Sequence, residues 1–333
     1  MTEQGRPYGT LSARDLLETG LRRDLAALEI ERQAALSERT RRYRTGAVIV
    51  IPMILLVFFG LAALQWSIGW GIAATWLGGT LVWGWGLEAQ KTFERTARSR
   101  IIDRVCEEIG DITYDDAAAR VSLAPFDALG ILPHYTKHQL SGALAGRYRN
   151  CEFEVAKAEL RRSGRRGSSR KVFDGLIMRI SMPTPVRGRV MITRDQGTVL
   201  NRLGQFFSSA TRVEIPHHTF EAKFEVYADH ADQAHRFVTP VFVQNFLALR
   251  SNLGGTGLTG GFQDRWFHVA LDGVPSFLAV ARIDAPLTNI EKSIEQAIQE
   301  VVLIYRIIDQ LHDAPEQATT RARTNATDAQ APS

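Results

Sequence analysis

The chain has 333 residues and a net charge of +4, with a mean hydropathy of −0.12, which admits one large or two modest domains. Its 40 basic residues are set against 36 acidic ones, which excludes a wholesale polyanion binder and directs attention to local basic patches. The two cysteines, Cys106 and Cys151, fit no metal-ligand or redox spacing and are read as buried reduced thiols.

Residues 1–45 read as a cytoplasmic helical arm. From Ser12 to Arg44 the leucines Leu17, Leu21, Leu25 and Leu28 recur at helical spacing among dense Arg and Glu, until Arg32 interrupts the seam. A short coiled coil, a helix on an anionic leaflet and a helix packed on its own domain all fit this pattern.

Residues 46–87 contain no Asp, Glu, Lys, Arg or His. A bilayer core takes about 20 helical residues per crossing, so this block predicts a transmembrane hairpin with spans near Gly46 to Leu64 and Ile68 to Leu87. The reversal falls near Gln65 to Gly69, with Trp66 and Trp70 at one interface and Trp83 and Trp85 at the other. Arg39, Arg41, Arg42 and Arg44 precede the block and Lys91, Arg95, Arg98 and Arg100 follow it, which predicts a two-pass protein of a bacterial inner membrane with both termini cytoplasmic. Gly71, Thr75 and Gly79 share one helical face suited to close packing in the hairpin or between protomers, although glycine is common in such helices anyway.

Residues 88–110 predict a helical stalk, with Phe93, Ala97, Ile101, Val105 and Ile109 every four residues and Gly110 as its cap. Residues 111–313 then read as an α+β domain, a mixed and mainly antiparallel sheet packed with helices. Strands are expected at Cys151–Val155, Val172–Ile180, Arg189–Thr193, Phe220–Val226, Trp266–Leu271 and Phe277–Ile283. Thr239 and Pro240 mark a helix start running to about Ser251. Thr288 and Glu291 suggest a capping box ahead of a last helix with an apolar stripe from Ile290 to Ile308. Residues 314–333 hold no large apolar side chain and are expected to be a disordered tail.

Gly255, Gly257 and Gly260 match a dinucleotide fingerprint in spacing, but the order here is helix, glycines, strand, the inverse of what pyrophosphate binding needs. His134 with His138, His217 with His218, and His230 with Asp229, Asp232 and His235 are incomplete as metal sites, so no cofactor or metal is assigned. The most distinctive surface element is a Gly/Ser-rich loop carrying Arg161, Arg162, Arg165, Arg166, Arg170 and Lys171 without an acidic residue. Anionic lipid headgroups suit such a loop at about 1 kcal/mol per basic residue near the surface. A solvated hairpin tip fits equally, and nucleic acid is disfavoured because no aromatics interleave the charges.

Phe173-Asp174-Gly175-Leu176, Arg187-Gly188-Arg189-Val190, and Tyr227-Ala228-Asp229 leading to Thr239-Pro240 resemble an uncharacterised bacterial family, a domain of unknown function in two-span inner-membrane proteins. The resemblance covers roughly Glu88 to His312, including Gly130-Ile131-Leu132-Pro133 and Gly146, and implies no chemistry. Two functional classes therefore stand: a membrane-anchored binding or scaffold protein engaging anionic lipid or a cytoplasmic protein, and a membrane-tethered enzyme with a dispersed site. The first is favoured because no nucleophile elbow, P-loop, kinase set or paired-carboxylate motif is present. Self-association through the spans or the N-terminal helix is allowed.

Overall fold

The computed structural model describes residues 21–63, 69–164, 167–194, 210–253, 255–274, 276–287 and 290–328. Among these, two compact units separate: a helical one comprising residues up to 105 together with 279–296, and a sheet unit comprising 106–278 with residues from 297 on.

The helical unit is built on α1 (Arg22–Ala63) and most of α2 (Gly69–Ile109). Leu21, Leu25 and Leu28 of the expected stripe are buried, as are Phe93, Ala97, Ile101 and Ile102 on α2; Leu17 lies outside the described residues. Gly110 takes φ +80° and donates its N–H to Cys106 O at 2.8 Å, so the stalk ends on the cap its sequence predicts.

Arg32, which interrupts the leucine seam, is only 9% exposed. Its Nη1 donates to the Ile283 carbonyl at 2.9 Å, and its Nε and Nη2 form a fork on Glu29 at 2.9 and 2.6 Å. Glu29 in turn accepts the Leu287 N–H at 3.1 Å, so a pair inside one helix clamps the segment 279–296. The hydrogen bonds from Arg32, and secondarily the Leu287 N–H, hold the Glu29 carboxyl at about 2 against the opposing effect of burial. A carboxylate with a depressed folded pKa stabilises above its unfolded pKa and loses that contribution as pH falls toward the folded one. The melting temperature is therefore expected to fall as pH drops from about 4.5 to about 2, a loss of ~2 kcal/mol. Glu29→Gln should flatten that part of a Tm-versus-pH series.

Among the described residues no helix is long and apolar enough to cross a membrane, which overturns the transmembrane hairpin and the membrane character drawn from it. The described apolar stretch of α1, 46–63, is shorter than the ~20 residues a crossing needs, and Arg44 and three further arginines lie directly before it. The expected reversal lies largely outside the described residues, as do the side chains of Gly71 and Thr75. Gly79 is open, with nothing within 4 Å of an added Cβ, whereas at Gly78 such an atom would lie 2.6 Å from Val50 of α1. The close approach of the two helices is thus one position from the expected row. Val48, Ile49, Ile51, Met53, Leu55, Leu56, Phe59 and Trp76 are all more than half exposed, an apolar band left uncovered by the described residues.

The sheet unit retains the α+β class. Its nine described strands are β1 (Ile112–Asp115), β2 (Lys137–Tyr148), β3 (Cys151–Ser163), β4 (Ser169–Ser181), β5 (Arg189–Arg194), β6 (Thr211–Val213), β7 (Phe224–Ala228), β8 (Gly257–Gln263) and β9 (Trp266–Asp272). They lie in the order β1-β2-β3-β4-β9-β8-β5-β7-β6, and every described pairing is antiparallel. The short helix α3 (Ala124–Ala128) precedes β2; α4 (His218–Glu221), α5 (Ala231–Phe237) and α6 (Pro240–Leu253) lie between β6 and β8, and α7 (Glu291–Asp328) is the last described element. α7 is helical beyond Ala314, where an unordered tail is expected to begin.

Alternation along the strands gives the sheet two apolar faces. On one, Phe242 and Phe246 of α6 pack on Phe262 and Phe267, and Tyr305 of α7 stacks on Tyr148 and meets Phe153 edge-on. On the other, Leu123, Phe126, Leu129 and Leu132 pack against Ala156, Leu160, Ile177 and Ala270. Among the described residues, the second face is covered by one loop-rich segment, with a hollow on either side of it.

Two expected strands are corrected. Phe220 belongs to α4, where His217 Nδ1 accepts the Phe220 N–H at 3.3 Å; the strand begins at Phe224, and one helical turn stacks the two rings at 5.3 Å. Phe277–Ile283 forms no strand, because Leu278 takes φ +51° and its N–H goes to Glu300 at 2.7 Å instead of to a neighbouring strand. Thr239 Oγ1 accepts the Phe242 N–H at 3.2 Å and caps α6 as its sequence predicts. Thr239→Ala should lower stability by about 1 kcal/mol in urea unfolding.

Candidate functional site: the basic hairpin

β3 and β4 form a long hairpin, and the described basic residues sit at its tip. The register sets Arg161 against Lys171 and Arg162 against Arg170, and alternation sends these successive pairs to opposite faces. On the first face the charges are balanced. Arg161 Nε donates to Glu159 at 2.6 Å, and Lys171 reaches Glu159 at 3.0 Å and Asp174 at 2.6 Å. Asp174 also accepts from Lys157 Nζ, which donates as well to the Val274 carbonyl at 2.7 Å. The Glu159 carboxyl is held below the usual range chiefly by Arg161. Burial raises that of Asp174, but Lys157 and Lys171 together outweigh it and leave it lowered.

On the second face Arg162 and Arg170 are exposed and have no acidic partner among the described residues. Like charges directly opposite each other on a sheet are destabilising, so this pair is not explained by the fold. Arg165 and Arg166 lie outside the described residues. From Lys157 to Asp174 the chain carries seven basic and two acidic side chains, a net charge of +5.

The expected histidine pair does not form a helical turn: His134 precedes β2 and His138 lies within it. His217 is an N-cap, and Asp229 accepts from the Arg189 backbone N–H and Nε, both at 3.0 Å. The motifs around Gly188 and Tyr227 thus meet as a structural clamp. The glycines at the start of and within β8 serve packing, since an added Cβ at Gly260 would press on Phe246 at 3.0 Å. Cys106 and Cys151 are both free and buried.

A feature that sequence reasoning missed is a groove of about 750 Å³ on the half-covered face, lined by Arg147, Glu152, Glu154, Arg179 and Trp266 among others. Arg179 lies 4.6 Å over the Trp266 ring and forks onto Glu154 at 2.8 and 2.6 Å. His268, opposite Arg179 in the register, is 3% exposed; burial, and then the Arg179 charge, push its pKa down to about 4. Pairing across distant strands creates this groove, and no local motif announces it.

Residues 171–312 match a family described as protein of unknown function, DUF3137. The match covers less than half of the chain. It begins in the basic hairpin and contains Phe173, Gly175, Arg189, Asp229 and Thr239, while the Gly130–Pro133 segment lies outside it. No curated protein matches. A crystal structure of the mycobacterial trehalose monomycolate transport factor A is similar over 63% of this chain and 93% of its own, at 9% identity and a TM-score of 0.28. A likeness of that size carries no argument.

Proposed function

We propose that this chain is a binding protein whose β3–β4 hairpin docks on an anionic lipid surface, the cytoplasmic leaflet of a bacterial inner membrane being one that carries such charge. The observation that supports it is the exposed Arg162–Arg170 pair, which has no acidic partner among the described residues while Arg161 and Lys171 beside it are balanced. Two arginines on one face of a protruding tip present a bidentate fork to phosphate oxygens without first breaking an ion pair. A dispersed active site finds no comparable support, since Arg179 in the groove is closed on Glu154 and the histidine beside it is buried.

The test is co-sedimentation of the full chain with vesicles of neutral lipid and with vesicles containing anionic lipid. Tighter binding to the anionic set is expected. Equal binding to both sets would sink the lipid reading and direct the search toward an acidic protein partner.

A further inference from the structure

A second feature, independent of the hairpin, lies on the same half-covered face of the sheet. The pairing of β5 with β8 ends at Ile192 opposite Gly260, yet β5 continues to Arg194 and β8 starts already at Gly257. Thr193 and Arg194 are paired on their other side with Glu225 and Phe224 of β7, and Leu258 and Thr259 with Leu271 and Ala270 of β9. The sheet therefore forks, and along the fork the two strands have no ladder partner among the described residues.

A pocket of about 340 Å³ occupies this fork, within the ~300–1,000 Å³ range of small-molecule sites. The Gly130–Pro133 loop walls it and is fixed by Thr259 Oγ1, which donates to Ile131 O at 3.0 Å. Leu132, Phe173 and Leu258 give it apolar sides. Its polar members are Thr193, Arg194, Thr256, Thr259 and Asp272, of which only Arg194 and Asp272 carry charge.

The charges in the pocket specify the ligand further. Arg194 donates Nη1 to the Thr256 carbonyl at 2.9 Å, and Asp272 accepts the Asp174 N–H at 2.9 Å. Each has a neutral backbone partner that fixes its direction, and neither forms an ion pair with the other or with any described residue. A purely anionic or cationic guest would leave one of these half-buried charges uncompensated. A guest carrying both signs on neighbouring groups satisfies both. We infer that the β5–β8 fork is a binding site for a zwitterionic α-amino acid with an apolar side chain, its carboxylate on Arg194, its ammonium on Asp272 and its side chain against Leu132 and Phe173.

Isothermal titration of the full chain tests this with L-leucine and L-phenylalanine, and with two half-ligands: leucinamide, which lacks the carboxylate, and isocaproate, which lacks the ammonium. L-Leucine or L-phenylalanine should bind saturably, and each half-ligand at least about tenfold more weakly than L-leucine. Arg194→Gln should weaken L-leucine about tenfold while leaving leucinamide unchanged, and Asp272→Asn should do the same while leaving isocaproate unchanged. Arg194→Lys, which keeps the charge, should retain most of the affinity and guards against a misfolded variant. Absence of saturable binding by either amino acid up to about 10 mM, or equal affinity for L-leucine and both half-ligands, overturns the inference.

Discussion

Replacing Gly175 by valine is expected to destabilise the sheet unit by about 3 kcal/mol or more, a large share of the ~5–15 kcal/mol that holds a domain folded. Gly175 lies in the middle of the sheet, paired with Ala158 on one side and Asp272 on the other. A Cβ there would overlap the Leu271 carbonyl oxygen and lie 2.9 Å from the Asp272 Cα, so backbone rather than a flexible side chain blocks it. The two strands cannot separate cheaply. The Asp174 N–H is tied to Asp272, and the Gly273 and Val274 N–H groups donate to Asp174 O at 3.1 and 3.2 Å. Gly79→Ala is the matched control, since nothing lies within 4 Å of its new atom and alanine favours a helix interior by ~1 kcal/mol. Urea unfolding should move the two variants in opposite directions, and a Gly175→Val protein as stable as the parent would refute the packing argument.

The second large effect is in binding. Changing Arg162 and Arg170 together to serine should weaken binding to anionic vesicles by about 10- to 30-fold, from about 1 kcal/mol for each basic residue at a charged surface. Stability should hold or rise slightly, because two like charges facing each other across the hairpin are removed. Arg161→Ser is expected to change vesicle binding much less, since its guanidinium is already engaged by Glu159. Raised salt should erode binding of the parent and leave the double variant little changed. If the double variant bound as tightly as the parent, the hairpin would not be the contact surface.

Much of the sheet unit was legible because its signals are local. β4, β5 and β9 follow from apolar alternation, and α6 from Thr239 with Pro240, whose cap hydrogen bond is in place. Gly175, a glycine inside an expected strand, reads as a bulge or a close approach, and the second holds. The failures share a cause: they depend on partners far away in the chain. Arg32 looks like a break in a leucine stripe until Ile283 supplies its acceptor. The segment 277–283 has a strand's composition, yet Leu278 adopts a left-handed backbone there. The spacing of His134 and His138 suits a helix, but His138 is paired into β2 and His134 precedes it.

The candidate site divides in the same way. The basic residues of the hairpin were visible as composition, but the sorting of Arg161 and Lys171 from Arg162 and Arg170 required the register and the bulge beside Leu160. The fork between β5 and β8 was invisible, because nothing in either strand alone says where their pairing stops.

The uncovered band from Val48 to Trp76 governs how the purified chain behaves as a colloid. Contiguous apolar surface left in water attracts any other apolar surface at roughly 25 cal/mol per Å² covered. Copies meeting through it in plain buffer would form particles that grow with concentration and with salting-out anions, and mild detergent would disperse them. The same band would adsorb to vesicles of any headgroup, so neutral lipid sets a floor in every sedimentation experiment. Only the increment above that floor reports on the hairpin.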